Sequence, residues 1–235
     1  MKQPTRTGAR SPKALTADGA YPAPAPAYHS RQERLYRLVA PLYDRLVWPR
    51  MQPVVETAVA LLGSLAGCRV LDGGTGTGNL AFELARAGAK VTGLDLSPSL
   101  LRIARRKPDA AQITWVHGDV TALPFAACTF AYSCAAMMLH ELPEPLRDRA
   151  LAELARVSVH GIMVIDYQRR APVRRATLWL EALEGSHYRS YVNYPLDERL
   201  ERLGWTIADG RHLGQFEVLL ARPCPGRPSG PQQHR

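Results

Sequence analysis

Residues 70–96 read VLDGGTGTGNLAFELARAGAKVTGLDL. A short apolar run ends in a carboxylate, Asp72, and Gly73, Gly74, Gly76 and Gly78 follow within a few residues. NLAFELARAG has the spacing of a helix that stops at Gly88. AKVTGLDL then reads as a second strand that closes on another acid, Asp95. Strand, glycine loop, helix and strand in this order open a doubly wound α/β sheet. Ligands of such sheets bind outside the carboxyl ends of the strands.

The same alternation continues in both directions. SPSLLRIARRK (97–107) reads as a helix with Ser97 as N-cap and Pro98 at its first position. QITWVHGD (112–119) and TFAYSCAA (129–136) read as strands, EPLRDRALAELARV (144–157) as an amphipathic helix, and GIMVIDY (161–167) as a fifth strand. Helices are expected over 172–184 and 195–203. WTIADGRH (205–212) and QFEVLLARP (215–223) lie too close together for a helical crossover, so they close the sheet as an antiparallel pair. Upstream, RQERLYRLVAPLYDRLVW (31–48) has helical spacing broken at Pro41, and a second helix fits 53–65. The expected organisation is a tail over 1–30, a helical cap over 31–66, a Rossmann-like core over 67–222 and a second tail over 223–235.

The 235 residues are 46% hydrophobic, enough for one sizeable core. The net charge of +9 sits largely in the tails, where Lys2, Arg6, Arg10, Lys13, Arg222, Arg227 and Arg235 face only Asp18. These charges are sparse and lie among Pro, Ala and Gly without interleaved aromatics, so they read as solvated tails and not as a nucleic-acid surface. No run approaches the roughly 18 apolar residues of a membrane span, and the charged N-terminus has no apolar h-region. Cys68, Cys128, Cys134 and Cys224 form no CxxC pair and no zinc spacing, which points to reduced thiols in a cytoplasmic protein.

The glycine loop resembles a phosphate cradle, but G-x-G-x-G is not the dinucleotide fingerprint, and Asp72 at its entrance would repel a pyrophosphate. The same carboxylate suits an ammonium group. Asp95 suits ribose hydroxyls. Asp119, at the end of the third strand, suits an adenine amino group, with Val120 and Leu123 as apolar cover. An amino-acid ammonium, a ribose and an adenine without phosphate describe S-adenosylmethionine.

The segments VLDGGTGTGNLAFELA, VTGLDLSPSLLRIAR, GDVTALPFAACTFAYSCAAMMLHELP, LAELARV and GIMVIDY follow one another as the motifs of a known family do. The chain resembles the class I S-adenosylmethionine-dependent methyltransferases over about 70–167. It is similar to their ubiquinone/menaquinone C-methyltransferase branch, including an AxxYDRL element at Tyr43 and Asp44. One departure is SVHG (158–161) where the branch has a Lys-Pro-Gly-Gly turn. The resemblance implies a seven-stranded sheet with an antiparallel last strand. It implies that Asp72, Gly73, Gly74, Gly76 and Gly78 hold the methionine portion, that Asp95 and Leu96 serve the ribose end, and that Asp119 and Val120 bind adenine. Cys134 and Ala135, expected after the fourth strand, would lie near the sulfonium.

Transfer from a sulfonium is an in-line displacement from an activated donor, so positioning dominates, and a base is needed only where the acceptor must lose a proton. In MMLHELPEP (137–145), His140 and Glu141 are the candidate bases; HELPE lacks the second histidine of a zinc motif, and Pro143 interrupts the helix such a site requires. Tyr43 is a candidate lid over the methyl group. SHYRSYVNYP (186–195) supplies Tyr188, Arg189, Tyr191 and Tyr194 for an acceptor wall, and Asp166 reads as a supporting acceptor. The favoured partner is a small-molecule acceptor. Methylation of RNA or protein is the alternative, although CAAMM (134–138) lacks the Asn/Asp-Pro-Pro-Tyr/Phe element of base-amino methylation. An NAD-dependent oxidoreductase is disfavoured by Asp72.

Overall fold

The computed structural model describes residues 48–169 and 186–225. Tyr43 and Asp44, the helical pattern before Trp48, the helix expected over 172–184 and the first tail lie outside these residues. The strands are β1 (Arg69–Gly73), β2 (Lys90–Asp95), β3 (Thr114–His117), β4 (Phe130–Ala136), β5 (Ser158–Tyr167), β6 (Trp205–Leu213) and β7 (Phe216–Pro223). They form one sheet in the order β3-β2-β1-β4-β5-β7-β6. Every pairing from β3 to β5 is parallel, and β7 runs antiparallel to both β5 and β6. The strand order reverses between β1 and β4, which places the ligand crevice at their carboxyl ends.

Two apolar layers sandwich the sheet, and successive strand residues feed them alternately. Val70, Met163, Ile165, Val218 and Leu220 face one layer, with α1 (Trp48–Leu62) and α2 (Asn79–Arg86) packed on it. Leu71, Ile162, Val164, Leu219 and Ala221 face the other, with α4 (Glu144–Val157), α5 (Tyr188–Val192) and α6 (Leu196–Arg202). Because both faces are covered, the central strands are apolar throughout, which is why they read as runs and not as alternation. The remaining helix, α3 (Pro98–Ala104), starts as its sequence requires: Ser97 Oγ accepts from Leu100 N at 3.2 Å, with Pro98 in the first turn.

Helix α4 spans the residues that its periodicity predicts and buries Ala150, Leu151 and Leu154. The segment SVHG after it is not a turn, as the family pattern had suggested, but the first residues of β5. Ser158 makes the direct helix-to-strand passage possible, because its hydroxyl donates to Leu154 O at 2.7 Å and lies 2.6 Å from Ser133 Oγ on β4. Gly161 then passes against Tyr132 and Leu220, where a Cβ would come within 3.0 Å of each. The helix expected over 53–65 is found over Trp48–Leu62, with Pro53 inside it.

The loop from β3 to β4 carries Asp119 and is fastened to α4 by one ion pair. Arg156 donates to Phe125 O (2.7 Å) and Leu123 O (3.1 Å), and Glu153 accepts from Leu123 N (2.7 Å) while holding Arg156. The pairing draws the Glu153 carboxyl below its ordinary range against the opposing effect of burial. Arg156→Met is expected to destabilise the protein by about 2–3 kcal/mol in urea unfolding, because two carbonyls and a carboxylate lose a charged donor. A loss within 0.5 kcal/mol would show that the loop needs no such fastening.

Candidate active site

Asp72 lies on β1, just before its end, and is 1% exposed. Its Oδ2 accepts from Thr75 Oγ1 at 2.6 Å, while Oδ1 has no hydrogen-bond partner among the described residues. Burial drives its pKa up to about 7; Thr75's hydrogen bond opposes the rise, Asp95's charge adds to it, and the Ala81 amide opposes it weakly. An orphaned buried carboxylate oxygen at the mouth of a glycine loop is the signature of a site shaped for a cation.

The loop that follows is held by the neighbouring strand. Gly74 N and Thr75 N donate to Leu94 O (2.8 and 2.9 Å), and Gly76 N donates to Asp95 Oδ2 (2.7 Å). Asp95 Oδ1 accepts from Ser97 N at 2.8 Å, so this carboxylate ties the loop to the end of β2. Two loop positions need glycine for both conformation and space. Gly74 has φ +75° and a Cβ there would meet Met138 at 2.7 Å; Gly78 has φ +85° and would meet the Trp115 ring at 2.5 Å. Gly73 lets the end of β1 approach Val120, whose side chain would lie 3.2 Å from an added Cβ.

The sequence-predicted residues gather at this crevice with some adjustments. Leu96, just past Asp95, is an apolar side chain 39% exposed, and its carbonyl lies 3.0 Å from His117 Nε2. Asp119 stands two residues beyond β3, half-buried, with Oδ1 accepting from Thr121 N at 2.8 Å; Val120 beside it is buried. Cys134 and Ala135 lie inside β4 and not after it, and both are fully buried. Cys134 sits in register with Asp72, and burial, then Asp72's charge, pushes its thiol far up, so it stays protonated. The residues that leave β4 at the crevice are Met137, in a left-handed conformation at φ +51°, and Met138 against Gly74.

His140 and Glu141 share a 3-10 turn, Leu139–Glu141, between β4 and α4. His140 is 3% exposed, and its Nδ1 lies 2.7 Å from Asp166 Oδ1 at the end of β5, while its backbone N–H donates to Asp166 Oδ2 at 3.2 Å. Asp166, expected as a supporting acceptor, therefore holds the imidazole at Nδ1. Glu141 is half-buried beside it. Aromatic rings surround this pair: Tyr167 at 4.9 Å and Tyr191 at 6.4 Å from His140, with Tyr188 4.8 Å and Phe216 5.5 Å from Tyr167. Tyr188, Tyr191 and Tyr194 are buried, and Arg189 is exposed. Sequence reading missed Thr75, Met138 and Arg147. Only Thr75 carried a signal, a hydroxyl three residues after a buried acid.

Comparison with known proteins places this geometry. Residues 70–161 match a family described as "Methyltransferase domain". The chain is 31% identical over 165 residues to the magnesium-protoporphyrin O-methyltransferase of Rhodobacter capsulatus, with 69% of each chain covered. It is 40% identical over 104 residues to the demethylmenaquinone methyltransferase of Renibacterium salmoninarum, covering 44% of this chain and 42% of that one. The chain spans about half the length of the first curated relatives it matches. Its fold resembles a crystal structure of magnesium protoporphyrin IX methyltransferase from Synechocystis with bound SAH, at TM-score 0.59, 22% identity and coverage of 73% of this chain and 83% of that one.

Asp72 makes stability depend on pH in a definite direction. Its pKa of about 7 in the folded chain stands above the ordinary aspartate value of 3.8, so the unfolded chain ionises first as pH rises. Its favourable contribution is whole below pH 4 and is lost progressively as pH climbs to about 7. Asp72→Asn is expected to unfold like the parent at pH 4 and to be more stable than it at pH 8, by roughly 4 kcal/mol at most. Parallel pH dependence in the two proteins would refute the buried-carboxylate account.

Proposed function

Because the chain belongs to the class I S-adenosylmethionine-dependent methyltransferases, we propose that it transfers a methyl group from S-adenosylmethionine to a small-molecule acceptor. The observation that carries this reading is the orphaned Oδ1 of buried Asp72 at the glycine loop. When bound, the cofactor supplies a methyl group already activated by its sulfonium. Asp72 pairs with the ammonium of its amino-acid end, and the backbone at Gly74, Gly76 and Gly78 lets that end approach closely. Asp95 accepts from the ribose hydroxyls while keeping the loop closed, Leu96 covers the ring system, and Asp119 with Val120 holds the adenine. Cys134 and Ala135 form the dry floor at the centre of the sheet and keep water from the reacting carbon.

On the acceptor side, His140 Nε2 takes the proton from an acceptor hydroxyl, and Asp166 stabilises the imidazolium that results. This is the arrangement in which a carboxylate orients a general base. Glu141 is the second candidate on the same turn. Tyr43, outside the described residues, is assigned as a lid by resemblance alone. A flat aromatic acceptor is favoured by two relatives, which bear the names of enzymes that act on demethylmenaquinone and magnesium protoporphyrin. We place the reaction in the cytoplasm on the strength of four unpaired cysteines.

Calorimetry with S-adenosylmethionine and with NAD tests the cofactor directly. Binding of the first alone is expected, with close to one proton released at pH 6 as Asp72 ionises, and none at pH 9. Asp95→Ala is expected to weaken that binding at least tenfold; unchanged affinity would sink the cofactor assignment. Incubation with labelled methyl donor and either demethylmenaquinol, magnesium protoporphyrin or cell extract identifies the acceptor. His140→Ala is expected to slow the labelled transfer at least a hundredfold with cofactor affinity within twofold. An unaffected rate would reduce His140 to a packing residue.

A further inference from the structure

The turn that carries His140 is gripped by a side chain that neither touches the cofactor loop nor belongs to the crevice. Arg147 stands in the first turns of α4 and is fully buried. Its Nε donates to Leu139 O at 2.8 Å and its Nη2 to Leu142 O at 2.7 Å, so one guanidinium holds the carbonyls on both sides of His140–Glu141. The same Nη2 reaches Ser190 Oγ on α5 at 3.2 Å. The guanidinium carbon lies 5.2 Å from the Tyr191 ring centre and 4.6 Å from that of Tyr194, between the two rings. From the other direction His187 N donates to His140 O at 3.0 Å. Turn, α4 and α5 are thus joined through one cation.

Nothing in the packing of α4 calls for an arginine here. Ala150, Leu151 and Leu154 follow on the same buried face, where a leucine would pack without the several kcal/mol that burying a charge costs. Arginine is among the residues least often buried completely. Its Nη1 also lacks a hydrogen-bond partner among the described residues. A buried cation kept at that cost, with two of its nitrogens committed to the peptide carbonyls around one histidine, is placed for geometry and not for stability. Lysine carries the charge but is a single point donor; only the planar fork reaches both carbonyls at once.

We infer that Arg147 is the positioning residue for His140: its guanidinium fixes the 139–142 turn against α5 so that Asp166 meets Nδ1. The inference rests on the reading of His140 as the acceptor-side base, and it concerns how that base is held and not whether it acts.

The test is spectroscopic and uses the full chain labelled with 15N-histidine. The ring Nδ1–H of His140 is identified by its loss in His140→Gln. In Arg147→Lys its exchange with solvent is expected to quicken at least tenfold, and its shift to move, while S-adenosylhomocysteine affinity stays within twofold and the His160 and His212 signals stay in place. Arg199→Lys serves as the control, because Arg199 also lies over Tyr194, 5.8 Å from its ring centre, and pairs with Glu144 and Asp148, yet has no bond to the turn. It is expected to leave the His140 signal unchanged. Ser190→Ala, at an exposed position, keeps the test open should Arg147→Lys fold poorly, with a two- to threefold quickening expected. An unmoved His140 ring proton in Arg147→Lys, or in Ser190→Ala where only that variant folds, would overturn the inference, as would an equal change in Arg199→Lys. A moved ring proton together with an undiminished methyl-transfer rate in His140→Ala would leave the clamp standing and remove the base.

Discussion

A carboxylate buried without a counter-cation among the described residues organises this site. Asp72 is carried into the sheet centre because β1 runs between β2 and β4, with covering layers on both faces. Ionising it there is unfavourable, so its pKa stands near 7, and only one of its oxygens is satisfied, by Thr75. The elements around it leave that carboxylate uncovered by side chains of the loop. The glycine loop turns away at once so that no side chain covers it, Leu94 and Asp95 hold the loop amides, and Met138 fills the space beside Gly74. Replacing any of these would either cover the acid or hydrate it, and a hydrated acid would lose the advantage of low dielectric.

The second half of the site solves the opposite electrostatic problem. Asp166 and Glu217 are register partners on β5 and β7, both buried, and would repel each other if left alone. Arg169 pairs with Glu217 at 2.6 Å and with Asp197 at 3.1 Å, and its pKa rises although burial opposes it. Glu217 nevertheless stays above its ordinary range, because burial outweighs that pairing. Arg169 answers Glu217, and Arg147 lies close enough to feel the charge of Asp166.

How much of this was legible beforehand depends on which signal each feature leaves. Helix α4 was readable to the residue, because its buried positions repeat every three or four and Pro143 and Pro145 mark its start. The acids at the ends of β1 and β2 were readable because each interrupts an apolar run. The exit of β4 was not: CAAMM is uniformly apolar, so nothing marks where pairing stops, and the stop is set by Met137 adopting φ +51°. Helix α5 was not legible as a helix, since five residues without a capping side chain show no period, and only the burial of Tyr188, Tyr191 and Val192 defines it. Arg147 was invisible for a different reason. Hydrophobic periodicity assigns an arginine to the outside, and its burial depends on carbonyls at Leu139 and Leu142 that only the tertiary fold presents.

The division between legible and hidden parts coincides with a division of labour along the chain. The family match spans 70–161 and so takes in Asp72, the glycine loop, Asp95, Asp119 and His140. The groups that hold or surround His140, namely Asp166, Tyr167, His187, Ser190, Tyr191 and Phe216, all lie beyond it, with Arg147 as the exception. The matched segment holds the residues proposed for the cofactor, which stand at or just past the ends of three strands, β1, β2 and β3. The surroundings of His140 come from β5, α5 and β7, which meet only in the tertiary fold. Two relatives bear the names of enzymes acting on a quinone or a porphyrin. Arg147 lies inside the matched segment but grips a turn whose histidine is completed from outside it, which makes it a mechanical link between the matched segment and the elements that follow it.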